Sequence, residues 1–69
     1  MTSDDFKAWR EHMGLSQQKA ADALGISRGS VDLYELGKRR DDGRAVDIPL
    51  TVGLACAALA FGLPAWRKP

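Results

Sequence analysis

The sequence predicts a small all-α domain, a compact bundle of four or five short helices. Two patterns indicate helices: apolar residues recur at three- and four-residue spacing, and a glycine or proline separates each such run from the next. The 69 residues are 45% hydrophobic and 28% charged, which is typical of a globular domain and not of a disordered chain. We therefore expect residues 1–69 to form one domain.

The first helix is predicted at residues 3–13, where Phe6, Trp9 and Met13 follow the spacing of one apolar stripe. Three polar residues at its start offer side chains that can cap the helix or complement its dipole. These residues are Ser3, Asp4 and Asp5.

Two shorter helices are predicted next, at residues 17–24 and 28–36. Ser16 and Ser27 precede them as N-cap residues, whose hydroxyl groups accept hydrogen bonds from amides of the first turn. Each helix is followed by a glycine, which adopts the left-handed conformation of a helix C-terminus without strain. These glycines are Gly25 and Gly37.

The connection between these two helices, residues 25–27, is short and contains a glycine, as in a helix-turn-helix unit. Ala20 and Ala21 on the preceding helix are small enough to let the next helix pack closely. The second helix of such a unit is held outward and fits the major groove of B-DNA. The pattern therefore predicts a DNA-binding unit at residues 17–36.

The remaining chain consists of a polar segment followed by an uncharged segment. Residues 38–47 are polar and are predicted to form a loop. Charge is then absent from residue 48 to residue 66. A fourth helix is predicted at residues 49–61, since Pro49 suits a first helical turn and Gly62 ends the run.

This fourth helix is apolar on nearly every side, and the three preceding helices can cover only one face of it. A membrane span is not expected, because prolines and glycines leave only about 12 uninterrupted helical residues, fewer than a bilayer requires. A second copy of the same helix is the simplest cover. The residues predicted to form this dimer interface are Val52, Leu54, Cys56, Leu59, Phe61 and Trp66.

Charge and composition limit the classes of function. Ten Lys and Arg residues against nine Asp and Glu residues give a net charge of +1, which argues against a polycation that binds nucleic acid through charge alone. The single cysteine excludes an internal disulfide, and His12 has no second ligand at metal-binding spacing. We expect neither an enzyme nor a metal, cofactor or small-molecule site. The acidic, polar N-terminus does not resemble a secretory signal, so the cytoplasm is the expected compartment.

The segment GLSQQKAADALGISRGSVDLYELGKRR, residues 14–40, resembles the helix-turn-helix domain of the lambda-type Cro and repressor family, also called the xenobiotic-response-element family. The ordered elements GLSQ, LGIS, YE and GKR carry the resemblance, which extends over residues 6–40 and weakly through the fourth helix. It implies a lambda-repressor-like fold and the sequence-specific binding of double-stranded DNA.

The resemblance also implies which residues read bases. Arg28 opens the recognition helix, where a guanidinium can donate to guanine O6 and N7. Asp32 either accepts from a cytosine amine or orients Arg28 from four residues away. Gly29 has no side chain where the family often reads a base, and Leu33 either meets a thymine methyl group or packs inward. The expected base-reading residues are Arg28, Gly29, Asp32 and Leu33.

The same resemblance implies contacts to the DNA backbone. Gln17, at the start of the second helix, matches a position that binds phosphate through its side chain and the helix N-terminus. The basic run after the recognition helix matches a loop that contacts phosphates. The expected backbone-contacting residues are Gln17, Ser27, Ser30, Lys38, Arg39, Arg40 and Arg44.

Other residues are interpreted as structural. Arg10 and Glu35 resemble the family's internal ion pair between the first and third helices. Trp9 is expected in the core. Cys56 is expected to serve as a small apolar residue, with a redox switch as the alternative.

The expected function is transcriptional regulation by a homodimeric repressor or autoregulator. Two-fold pairing places two recognition helices one DNA turn apart, near 34 Å, and so predicts an inverted-repeat operator. The size of the chain resembles that of phage and mobile-element autoregulators, including those encoded beside anti-CRISPR genes. The alternative is an antitoxin or anti-activator module that holds a protein partner through the apolar fourth helix.

Overall fold

The computed structural model describes all residues 1–69 and contains four α-helices and no β-strand. The helices are α1 (Ser3–His12), α2 (Gln17–Leu24), α3 (Arg28–Leu36) and α4 (Leu50–Ala60). The all-α class and four of the predicted helices are confirmed. No fifth helix forms, because residues 63–69 have no regular structure and include two prolines.

The predicted bounds of α2 and α3 are confirmed, while α1 differs by one residue at its end and α4 by one residue at each end. Helix α1 ends one residue earlier than predicted, with Met13 as its C-cap. Pro49 is the N-cap of α4 and lies just before its first turn, not within it.

The N-terminus of α1 is capped by Thr2, one residue before the expected caps. The Thr2 hydroxyl accepts from the Asp5 amide at 3.0 Å, and the Asp5 carboxylate accepts from the Thr2 amide at 2.9 Å. This reciprocal arrangement satisfies two amide donors at once, which Ser3 cannot do from inside the helix. The bond from the Thr2 amide lowers the pKa of Asp5.

The turn between α2 and α3 has the predicted construction. Ser16 and Ser27 cap the two helices, accepting from backbone amides at 3.1 Å each. Gly25 ends α2 in the left-handed conformation, with φ of 70°. Ala20 and Ala21 are completely buried. Two methyl groups therefore occupy the space in which larger side chains would push α3 away from α2.

The core is small and joins all four helices. Phe6 packs against the Trp9 ring at 5.6 Å and meets Tyr34 edge-on at 5.7 Å between ring centroids. The Trp9 indole donates from Nε1 to the carbonyl oxygen of Cys56 at 2.9 Å, which links α1 to α4. The buried residues are Phe6, Trp9, Ala20, Ala21, Val31, Val52 and Cys56.

The burial of α4 corrects two residues of the predicted dimer interface. Val52 and Cys56 keep only 8% and 1% of their surface exposed, because they lie on the face of α4 that packs against α1 and α2. Leu59 also packs partly against this core. Of the predicted interface, Leu54, Phe61 and Trp66 remain exposed. None of the four helices has the length and apolar character needed to cross a membrane.

The ion pair between α1 and α3 is present as the resemblance implied. Arg10 donates from Nε and Nη2 to the two carboxylate oxygens of Glu35, at 2.6 and 2.9 Å. Its third donor, Nη1, reaches the carbonyl oxygen of Leu15 at 2.9 Å. The hydrogen bonds to Glu35 raise the pKa of Arg10. Both helices that flank α2 are thereby held in a defined orientation.

Candidate nucleic-acid interface

A polar groove of about 360 Å³ lies over the first turns of α3. No hydrophobic side chain lines it. The groove is formed by the start of α2, the first turns of α3 and the loop after α3. Three predicted base-reading residues and two predicted backbone-contacting residues line it together. They are Gln17, Arg28, Gly29, Asp32 and Arg40.

Gln17 and Arg28 bring the starts of two helices to this groove. Each is the first residue of its helix, so each side chain lies beside a helix N-terminus, where the dipole favours negative charge. Arg28 Nη2 and Gln17 Oε1 are 3.5 Å apart, at the outer limit of a hydrogen bond. Both side chains are therefore weakly held and free to turn toward a phosphate or a base edge.

Asp32 is held by Arg40. Arg40 Nη2 donates to Asp32 Oδ2 at 2.7 Å, so the loop after α3 folds back against that helix. This geometry does not support the interpretation that Asp32 orients Arg28. The hydrogen bond from Arg40 is the main cause that lowers the pKa of Asp32.

The loop after α3 is more ordered than the sequence indicated. Lys38 and Ala45 form an antiparallel bridge, and the Arg39 amide donates to the Arg44 carbonyl oxygen at 2.8 Å. A tight reversal around Gly43 therefore positions the basic residues.

Aspartates face the arginines of this loop. Arg39 lies 3.5 Å from Asp41, and Arg44 lies 3.5 Å from Asp42, while Lys38 is exposed and has no ion pair. With Arg40 on Asp32, all three loop arginines have an acidic partner within 4 Å. The basic surface beside α3 is accordingly much weaker than the number of its cations suggests.

The other predicted contact residues lie outside the groove. The Ser27 hydroxyl accepts from the Ser30 amide and lies 3.0 Å from the Ser30 hydroxyl, so both serines take part in the cap of α3. Leu33 is half-buried and does not belong to the core cluster.

One lysine near the site was missed by the sequence analysis. Lys7 of α1 lines a second polar groove, of about 250 Å³, together with Gln17 and Asp32. A signal was available, because Lys7 lies three residues before Arg10, whose partner Glu35 is on α3. Lys7 therefore extends the candidate interface toward α1.

An apolar groove of about 650 Å³ lies elsewhere, along α4 and the C-terminal segment. It shares no lining residue with the polar groove. We define the α4 patch as the large, exposed apolar side chains of this region. They are Leu50, Leu54, Phe61, Leu63 and Trp66, between 58% and 86% exposed.

These features define a helix-turn-helix protein, and comparison with known proteins agrees. A family model described as helix-turn-helix matches residues 6–40, about half of the chain. The chain therefore belongs to the helix-turn-helix family. A protein of Bacillus subtilis (strain 168), the uncharacterized HTH-type transcriptional regulator YqaE, is 45% identical over 42 residues. The match covers 61% of this chain but 36% of the relative, so the chain spans about a third of that protein's length. No solved structure matches the chain significantly.

Proposed function

We propose that this protein is a transcriptional regulator that binds a specific sequence of double-stranded DNA by placing α3 in the major groove. The observation that carries the proposal is the polar groove, where Arg28 and Asp32 meet Gln17 and Arg40. Guanidinium, carboxylate and amide groups are those that read base edges, and helix N-termini are suited to hold phosphate. Membership of the helix-turn-helix family and the name of the Bacillus relative support the same function.

The test is selection of duplexes from a random library, followed by binding of the enriched duplex in a fluorescence anisotropy titration. Arg28→Ala should weaken binding to that duplex by about 10–100-fold, since one bidentate base contact is worth roughly 1–3 kcal/mol. Lys38→Ala should weaken binding to enriched and unrelated duplexes alike, because a phosphate contact carries no sequence information.

Lys68→Ala is the charge-matched control, since Lys68 lines none of the three grooves described above. It should bind the enriched duplex like the wild type. Failure of the wild type to enrich any duplex would contradict the proposal, and unchanged binding by Arg28→Ala would remove that residue from base recognition.

The proposal includes a homodimer on an inverted repeat, for which the α4 patch is the support. Phe61 and Trp66 are 81% and 86% exposed, and large exposed apolar side chains gathered in one region are typical of protein–protein contacts. Because the α4 patch and the polar groove share no residue, a dimer leaves both recognition helices accessible. One helix of modest charge gains affinity and specificity when a second one binds the adjacent half-site.

Repression by occupancy is the mechanism we propose, with the protein covering a promoter, its own included. Under this proposal the gene lies in a phage or another mobile element, as for the small autoregulators, including those beside anti-CRISPR genes, that the chain resembles. A reporter fused to the DNA upstream of the gene should lose activity when the protein is supplied. A rise in reporter activity would instead indicate an activator.

The α4 patch also favours a second candidate function, an antitoxin or anti-activator that holds another protein. In that case the patch is covered by a different chain. The purified protein would then remain monomeric at micromolar concentration, and a specific protein would co-purify through Leu54 or Phe61. A stable homodimer that binds an inverted repeat would favour the regulator.

A further inference from the structure

Gly29 is one of the residues that line the polar groove, yet nothing within the chain requires a glycine there. It is the second residue of α3 and its backbone does not have a positive φ. A Cβ atom at this position would meet only the Ser27 hydroxyl oxygen, at an ordinary distance of 3.8 Å. Glycine is less favourable than alanine in a helix because it loses more backbone entropy on folding. The missing side chain therefore lowers the stability of α3 without improving its packing.

The groups around Gly29 have complementary chemistry. Arg28 supplies guanidinium donors, and Asp32, four residues further along the same face of α3, supplies a carboxylate. Arg40 donates to Asp32 Oδ2, and a carboxylate has a second oxygen that can accept from another donor. A donor set and an acceptor thus lie close to a position that has no side chain of its own.

A G·C base pair matches this arrangement in the major groove. Guanine presents two acceptors, O6 and N7, and cytosine presents the N4 amine as a donor. Arg28 complements guanine and Asp32 complements cytosine. An A·T pair puts the adenine N6 amine where the guanidinium needs an acceptor, so it fits less well.

We propose that the bare backbone at Gly29 gives one G·C base pair the clearance to enter between Arg28 and Asp32. Gly29 is then a specificity-determining residue. It lowers the stability of α3 but allows the helix backbone to approach DNA more closely. A methyl group at position 29 would project into the groove, since nothing in the chain covers that position. This inference rests on the proposed function, that α3 enters the major groove of a specific duplex.

Gly29→Ala tests the inference, with Gly53→Ala as the matched control. Gly53 also lies within a helix without a positive φ, and its Cβ would meet Met1 Cβ at 3.6 Å, an ordinary contact. Gly53 does not line the polar groove. Both variants should fold, with a Tm unchanged or raised by up to about 6 °C. Only Gly29→Ala should lose affinity for the enriched duplex, by about tenfold or more. Equal binding by Gly29→Ala and the wild type would overturn the inference.

Substitution of each base pair of the enriched duplex in turn locates the contact. The wild type should prefer G·C at one position, and that preference should disappear in Gly29→Ala and in Asp32→Asn. A preference for A·T at the position that depends on Arg28 would overturn the inference. If the wild type enriches no duplex, the proposed function fails as well, whereas a sequence-specific wild type with an unaffected Gly29→Ala variant overturns only the inference.

Discussion

The Arg10–Glu35 pair is the charged contact that joins α1 to α3, and its side chains are only 20% and 7% exposed. Glu35→Gln keeps the shape of the side chain but leaves the guanidinium partly buried without a counter-charge. We expect the free energy of unfolding to fall by about 2–3 kcal/mol, measured by urea denaturation followed by circular dichroism.

Asp42→Asn is the control for this prediction. Its partner Arg44 is 3.5 Å away, and the two side chains are 45% and 82% exposed, so the exposed pair should contribute less than about 0.5 kcal/mol. Similar losses in the two variants would show that burial does not distinguish these ion pairs.

Cys56 is a second residue whose environment decides its chemistry. Burial raises the pKa of its thiol from 9.0 to about 11, so the native protein keeps the thiol protonated at pH 8. We expect a disulfide reagent such as DTNB to label the native protein slowly and the urea-unfolded protein fully. Rapid labelling of the native protein would instead favour the alternative interpretation of Cys56 as a redox switch.

The same shift predicts how stability depends on pH. Because the native thiol has the higher pKa, its contribution is present below pH 9.0 and is lost as the pH rises toward about 11. Unfolding free energies measured across this interval should fall in the wild type, and the fall should be smaller in Cys56→Ala. An equal fall in both proteins would assign the alkaline sensitivity to other groups.

At the scale of elements, the C-terminus of α3 is fitted closely to the start of α1. Gly37 has a φ of +79°, and a Cβ there would lie 2.9 Å from the Ser3 hydroxyl oxygen. Gly25 has a similar φ of +70° but open space around it. Gly25→Ala should therefore cost about 1–2 kcal/mol from backbone strain alone, and Gly37→Ala about 1 kcal/mol more from the added contact.

The double variant Gly37→Ala with Ser3→Ala separates these two causes. Removing the hydroxyl oxygen should return the loss of stability to that of Gly25→Ala, as measured by urea denaturation. If the double variant stays as unstable as Gly37→Ala, the contact with Ser3 is not the source of the extra cost.

We expect the loop between α3 and α4 to determine how strongly the protein attracts DNA. Asp41 and Asp42 each face an arginine of that loop, so Asp41→Asn with Asp42→Asn should free two cations for phosphates. The logarithm of the binding constant should then fall more steeply with the logarithm of salt concentration, by about 1–2 units of slope. Affinity for unrelated duplexes should rise.

Asp4→Asn with Glu11→Gln makes the same change in net charge on α1, away from the polar groove. This control should leave the salt dependence close to that of the wild type. An equal increase in both double variants would mean that net charge matters and the position of the aspartates does not.

Local signals predicted the helices well, and the family resemblance implied the Arg10–Glu35 pair, but other contacts between distant residues could not be predicted from the sequence. Ser16, Ser27 and the glycines after α2 and α3 mark those helix ends through short-range hydrogen bonds and a permitted left-handed φ. The Arg40–Asp32 bond depends on the path of the loop, which no local pattern specifies. The inward face of α4 was also hidden, because a helix that is apolar on nearly every side has no stripe to mark Val52 and Cys56 as core.

At the scale of the whole molecule, the polar groove and the α4 patch lie on different parts of the protein. Helix α3 packs against α1 and α2, and α4 packs against the same two helices. The polar groove therefore belongs to the α2–α3 side and the α4 patch to α4 and the C-terminal segment. Under the proposed function, this separation would let the protein bind DNA and form a dimer at the same time, because occupying one surface does not cover the other.

We expect dimer formation through α4 and DNA affinity to be coupled. We expect the wild type to sediment as a dimer at micromolar concentration and Leu54→Lys to sediment as a monomer with an unchanged circular dichroism spectrum. Ala60→Lys is the control, since Ala60 is an exposed residue of the same helix that does not line the apolar groove. It adds the same charge and should remain a dimer.

DNA affinity should follow the oligomeric state. On a duplex with two half-sites one turn apart, near 34 Å, Leu54→Lys should bind about 100-fold more weakly than the wild type, because the second contact is no longer intramolecular. On a single half-site the two proteins should bind alike, and the added lysine cannot explain a loss, since a positive charge favours DNA. A monomeric wild type, or a monomeric variant that binds the full site as tightly as the wild type, would contradict a dimer formed through α4.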